Sequence, residues 1–134
     1  MAFLQDKKKI FTHGRKTEIA ISEELEQIRF CDFLKLNRLI KFTHVANERV
    51  CSIAYRKKLK ALGVSAGFPD LEIFLPNGKI LFVEMKRKKA AKVSDAQKEW
   101  AEFLIDFAPF VKHKICYGAG EAIDFVKQEL ESGR

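Results

Sequence analysis

Apolar positions along this 134-residue chain recur at two periods, and the switches between them mark out eight elements. Ser22 precedes Glu23 and Glu24 as a helix cap with acids in the first turn. From 23 to 40, apolar residues fall at Leu25, Ile28, Cys31, Phe33, Leu34, Leu36 and Ile40, which predicts a helix with a broad apolar face. Residues 41–47 alternate at Phe42, His44 and Ala46 and predict a strand ended by Asn47-Glu48. Residues 52–62 predict a short basic helix, anchored by Ile53, Ala54, Leu59 and Leu62 and stopped by Gly63. Two apolar runs around Pro76-Asn77-Gly78 follow. Beyond them, Ser94 caps a helix whose expected buried stripe is Ala96, Trp100, Phe103, Leu104 and Phe107, with Pro109 ending it. A strand at 113–117, a turn at Gly118-Ala119-Gly120 and an amphipathic helix over 121–130 close the chain. The order α-β-α-β-β-α-β-α predicts an α/β fold, a mixed sheet with helices on both faces. Its two central strands are nearly continuously apolar, as a doubly covered sheet requires.

The central pair carries the first chemistry. Pro76 pre-sets φ, Asn77 suits the second turn position, and Gly78 can take the left-handed place that closes a three-residue hairpin loop. Leu75 then faces Lys79, and the same register puts Asp70 opposite Glu84, with Lys86 on the face of Glu84. Opposed carboxylates repel unless a cation lies between them. An oxygen-only donor pair suits Mg²⁺ or Mn²⁺ rather than zinc. A neighbouring lysine can orient water or stabilise developing negative charge. Taken alone, the pattern fits an ordinary surface hairpin with scattered charges equally well.

Composition narrows the choice. Hydrophobic residues make up 47% and phenylalanine occurs 12 times, which marks one globular domain rather than a disordered chain. The domain is expected over 18–134, with 1–17 as a basic tail outside it. A formal net charge of +7 favours a polyanionic partner, nucleic acid before an acidic membrane surface. Arg56, Lys57 and Lys60 on the short helix could grip phosphate, as could Arg87, Lys88, Lys89 and Lys92 in the loop after Lys86. A solvated charged face is the competing reading for the helix. Cys31, Cys51 and Cys116 form no CxxC pair, which argues against a structural zinc site and a disulfide framework. With no signal-like or membrane-length apolar run, the chain is expected to be soluble and cytoplasmic, without a membrane partner. His13, His44 and His113 lack metal-ligand spacing and read as structural or surface residues. No Walker motif, GxGxxG or nucleophile elbow is present.

Several segments together resemble one family. Pro69-Asp70 followed by Glu84-Met85-Lys86 looks like the PD-(D/E)XK nuclease superfamily. Gly63-Val64-Ser65-Ala66-Gly67-Phe68-Pro69-Asp70 is similar to the Gly-x-x-x-Gly-x-Pro-Asp stretch of its VRR-NUC domain family, and Ser94-Asp95-Ala96-Gln97-Lys98-Glu99-Trp100 to that family's Ser-x-x-Gln-x-x-Trp segment. Glu23 with Gln27, and Asn47-Glu48, resemble the family's first helix and the end of its first strand. The resemblance implies a restriction-endonuclease-like sheet core and a Mg²⁺-dependent DNA endonuclease, with Mn²⁺ able to substitute. It implies Asp70, Glu84 and the Met85 carbonyl as metal ligands, and Lys86 as the group that orients water and stabilises charge. Gln97 would position Lys86 or the water, and Glu23 would add a carboxylate. It further implies a homodimer acting on branched DNA such as a four-way junction. The alternative is a non-catalytic nucleic-acid-binding module on the same fold.

Overall fold

The computed structural model describes residues 22–45, 52–87 and 91–133. The expected tail, Asn47-Glu48, Lys88 and Lys89 lie outside them. Eight elements follow in the expected order: α1 (Glu23–Lys35), β1 (Lys41–His44), α2 (Ile53–Ala61), β2 (Leu71–Phe74), β3 (Ile80–Lys86), α3 (Asp95–Ile105), β4 (Val111–Tyr117) and α4 (Ala119–Glu131). The strands lie side by side as β1-β2-β3-β4. The first two pairings are antiparallel, and β3–β4 is parallel across the α3 crossover. This is a mixed α/β sheet.

The hairpin register is the one its turn dictates. The Leu75 N–H donates to the Lys79 carbonyl at 2.9 Å, the Gly78 N–H donates to the Leu75 carbonyl, and Leu71 pairs with Val83. Strand β3 is buried along almost its whole length because both of its faces are covered. Its odd residues, Leu81, Val83 and Met85, pack with Phe30 and Leu34 of α1 and with Ala122, Phe125 and Val126 of α4. Its even residues turn to α3, where Phe82 meets Leu104 and Val111, backed by Phe68 and Trp100. A fully buried Phe or Leu contributes ~1.5–3 kcal/mol, so Phe30, Leu34 and Leu81 are principal anchors. Burial also pushes the Cys116 thiol up to about 12, which makes it an inert core group.

Helix faces depart from the expectations more than helix positions do. In α1 the buried residues are Phe30, absent from the expected set, and Leu34; Leu25, Ile28 and Leu36 are exposed. A seam against α4 and one strand needs a narrow stripe, not a broad face. Helix α1 stops at Lys35 rather than 40 because Asn37 makes a turn, its Oδ1 accepting from the Leu39 N–H. Strand β1 likewise ends earlier than expected, at His44. Helix α2 buries none of its residues, so Ile53, Ala54 and Leu62 do not anchor it, and Leu59 is only half-buried. In α3 only Leu104 of the expected stripe is buried, and Phe103 and Phe107 face outward. Strand β4 begins two residues early, at Val111. Helix α4 also begins early, at Ala119. The expected turn reduces to Gly118, whose φ of 97° ends the strand while Glu26 Oε1 accepts from the Ala119 N–H.

Candidate functional site

The α3 face of the sheet gathers acidic and basic side chains where an apolar core would otherwise continue. Even-numbered positions on β3 run Phe82, Glu84, Lys86, so one face passes from aromatic to ionic along three successive inward positions. Asp70, just before β2, lies at the same end of the sheet. Asp70 is fully buried, Glu84 is 3% exposed and Lys86 is 8% exposed. Burying ionised groups is costly unless they are paired and hydrogen-bonded, so their partners decide what the site can do.

Asp70 is held by backbone. Its Oδ2 accepts from the Met85 N–H at 2.8 Å, and its carbonyl accepts from the Val45 N–H at 2.8 Å. In an antiparallel pair the N–H and C=O of one residue point to the same side, so the Met85 carbonyl leaves β3 on the edge that Asp70 occupies. This brings together the three expected metal-ligand groups, Asp70, Glu84 and the Met85 carbonyl.

Glu84 is held from α3. Gln97 Nε2 donates to Glu84 Oε2 at 2.8 Å, while Gln97 Oε1 accepts from the Ser94 N–H at 3.0 Å. The Ser94 hydroxyl in turn accepts from the Gln97 N–H. This reciprocal cap fixes which end of the amide faces the carboxylate. Gln97 therefore orients Glu84, whereas the resemblance implies that it positions Lys86 or the water. Lys86 Nζ stands 4.0 Å from Glu84 Oε2, the limit of an ion pair and beyond hydrogen-bond length.

The loop before Asp70 is pressed against α3. Gly67 has a φ of 83°, and a Cβ there would fall 2.4 Å from the Ala96 carbonyl carbon. Only glycine allows that approach, which brings Pro69-Asp70 beside Gln97. On the opposite flank, His44 Nδ1 lies 2.8 Å from the Asp70 carbonyl and 3.1 Å from the Gln27 amide. A nitrogen facing a carbonyl must carry the proton, so Nδ1–H donates to Asp70. His44 thus touches the backbone of a site residue, although its spacing in the chain marks it only as a structural or surface residue. The β1–β2 register that pairs His44 with Leu71 has no local sequence signal, because α2 and its loops separate the strands. Glu23 sits one helical turn before Gln27, on the same side of α1.

The expected phosphate-binding residues divide. Arg56, Lys57 and Lys60 are exposed and share one face of α2. Arg87, next to Lys86 in the chain, and Lys92, shortly before α3, are both exposed. Among the described residues no group of three or more His, Cys, Asp or Glu gathers, and no helix is long and apolar enough to cross a membrane.

Comparison with known proteins agrees with this geometry. Residues 15–120 match the VRR-NUC domain family. A solved structure described as a VRR_NUC domain protein superposes with a TM-score of 0.67, covering 85% of this chain and 92% of its own at 22% identity. That likeness shows the shared fold. No curated protein gives a significant match.

Proposed function

This chain belongs to the VRR-NUC domain family, and from that premise we propose that it is a divalent-metal-dependent DNA endonuclease hydrolysing phosphodiester bonds. The observation that carries the reading is the burial of Asp70 and Glu84 at one end of the sheet with Lys86 beside them. A purely binding module gains nothing from carboxylates buried at this cost.

The donor set fits Mg²⁺, with Mn²⁺ able to substitute: two carboxylates and the Met85 carbonyl are hard oxygen ligands. Mg²⁺ keeps several waters and binds substrate phosphate oxygens beside its few carboxylate ligands. When bound, the ion supplies Lewis acidity toward the phosphate and lowers the pKa of the attacking water. The protein's own groups do the positioning. Asp70 is fixed by the Met85 N–H and Glu84 by the Gln97 amide, so both carboxylates are pre-oriented. The Lys86 ammonium, 4.0 Å from Glu84 Oε2, would orient water and stabilise charge on the phosphate. Glu23 adds a carboxylate from α1.

Arg56, Lys57, Lys60, Arg87 and Lys92, with Lys88 and Lys89, are proposed to hold the DNA backbone. A small basic domain reads shape and phosphate more readily than sequence. Branched DNA, the four-way junction included, is therefore the proposed substrate. A homodimer would present two sites to two strands. In this reading the nuclease domain spans 18–134.

A panel of linear, flap and four-way-junction DNA with Mg²⁺ or Mn²⁺ tests the proposal. Asp70→Ala, Glu84→Gln and Lys86→Ala are each expected to lower the cleavage rate by ~100-fold or more. Asp70→Ala cutting as fast as the parent would show the site assignment to be wrong. Metal-independent DNA binding without cleavage of any substrate would favour the non-catalytic alternative. A protein that runs as a monomer by gel filtration under cleavage conditions removes the dimer.

A further inference from the structure

Beside the ionic site lies a cleft of about 300 Å³ between the loop carrying Ser65 and Ala66 and the α3 residues Ala96, Glu99, Trp100 and Phe103. Both walls belong to elements that build the site. The loop continues through Gly67 into Asp70, and α3 carries Gln97 one turn before Trp100. We propose that this cleft is a subsite for one unpaired nucleobase next to the scissile phosphate. The inference rests on the nuclease reading and names the feature of branched DNA that the protein would select.

Three observations support it. The first is an aromatic series that leads outward from the core. Phe68 packs edge-on to Phe82 and to Trp100 at 5.6 and 4.8 Å, Trp100 meets Phe103 at 5.8 Å, and Phe103 meets Phe107 at 5.4 Å. The inner rings are fixed by packing, and the Trp100 Nε1–H donates to Ser65 Oγ at 3.1 Å. The outer rings, Phe103 and Phe107, are 56% and 62% exposed. A rigid half-buried ring with exposed aromatic neighbours is the arrangement on which proteins stack single-stranded bases.

The second observation is size. The cleft stands at the lower end of the usual ~300–1,000 Å³ range for ligand pockets, which suits one base and excludes a duplex or a helix.

The third is charge. Glu99 puts a carboxylate on the wall, whereas the cation of the ionic site, Lys86, lies on strand β3. A carboxylate repels phosphate but accepts hydrogen bonds from exocyclic amines, as Glu and Asp do from cytosine N4. The two regions therefore sort the two halves of a nucleotide, with phosphate toward Lys86 and base toward Trp100. Thymine, which has no exocyclic amine, fits least well.

Trp100 is the sole tryptophan of the chain, so its emission reports directly on the cleft. The full-length protein is titrated without divalent metal using three oligonucleotides: a duplex, the same duplex with one unpaired cytosine, and the same with one unpaired thymine. The unpaired cytosine is expected to quench Trp100 and to bind more tightly than either of the others. Phe103→Ala, at an exposed position, is expected to weaken binding of the unpaired-cytosine DNA by ~5-fold or more while duplex affinity stays within about 2-fold. Glu99→Gln is expected to remove the preference for cytosine over thymine but retain quenching. Equal quenching by all three DNAs, or equal weakening of all three by Phe103→Ala, overturns the subsite. Metal-dependent cleavage with neither quenching nor preference for unpaired DNA also overturns it and leaves the nuclease reading standing. Selective quenching with no cleavage of any substrate supports the subsite while refuting the enzyme.

Discussion

Gly67 decides how closely the Asp70 loop can approach α3. A side chain there would be strained twice, by a φ of 83° and by a Cβ 2.4 Å from the Ala96 carbonyl carbon. Gly67→Ala is expected to cost roughly 2–4 kcal/mol, from left-handed strain plus overpacking against rigid backbone. Urea unfolding measures the loss, and an unchanged midpoint would show that the loop and helix do not touch. Other residues at this scale are legible in part. Asp70, Glu84 and Lys86 follow from turn chemistry and strand alternation, both local. Gln97 stands out by its place in a motif, but the motif does not say which group it holds, because only the reciprocal cap with Ser94 aims its amide at Glu84. His44 gives no such signal, because its partner, the Asp70 carbonyl, lies 26 residues away across a register that no local pattern encodes.

Helix α2 is the element whose role separates most cleanly from stability. It buries no residue, and Arg56, Lys57 and Lys60 share a face opposite Tyr55, Leu59 and Leu62. Replacing the three cations by glutamine is expected to change folding stability by no more than about 0.5 kcal/mol. If each cation neutralises one phosphate, the log–log salt dependence of duplex binding should become shallower by ~0.9 for every cation replaced. An unchanged slope would move phosphate binding off α2. The sequence marks this helix's end through Gly63, which has a φ of 102°, and in the structure the Ser52 hydroxyl caps its start by accepting from the Tyr55 N–H. Packing is where the pattern misleads: Ile53 and Leu62 stay 71% and 72% exposed, because apolar residues promise a buried face without naming a surface to receive it. Helix α3 repeats the lesson. Its spacing marks a stripe, but the helix lies on the sheet through Leu104, leaving Phe103 and Phe107 outside.

At the scale of the whole molecule, the doubly covered sheet sets how stability responds to pH. His113 on β4 pairs with Phe82 on β3, and burial pushes its imidazole below the ordinary value of 6.5. The unfolded chain then takes up a proton as pH falls through about 6.5 while the folded ring stays neutral. Stability is thus fully retained above that pH and declines below it, until the lowered folded value is reached. Urea midpoints at about pH 7.5 and 5.5 should show a loss in the parent protein that is smaller in His113→Asn. An equal loss in both would place the titration elsewhere.

Element order, hairpin register and the grouping of Asp70, Glu84 and Lys86 were determined by the chain itself, because turn residues, caps and strand alternation act over a few neighbours. Tertiary structure alone decided which helix faces are covered, how Gln97 and His44 reach the carboxylate residues, and where the cleft beside Trp100 opens. Those features depend on elements far apart in sequence, whose register and approach are set by packing the two faces of β3.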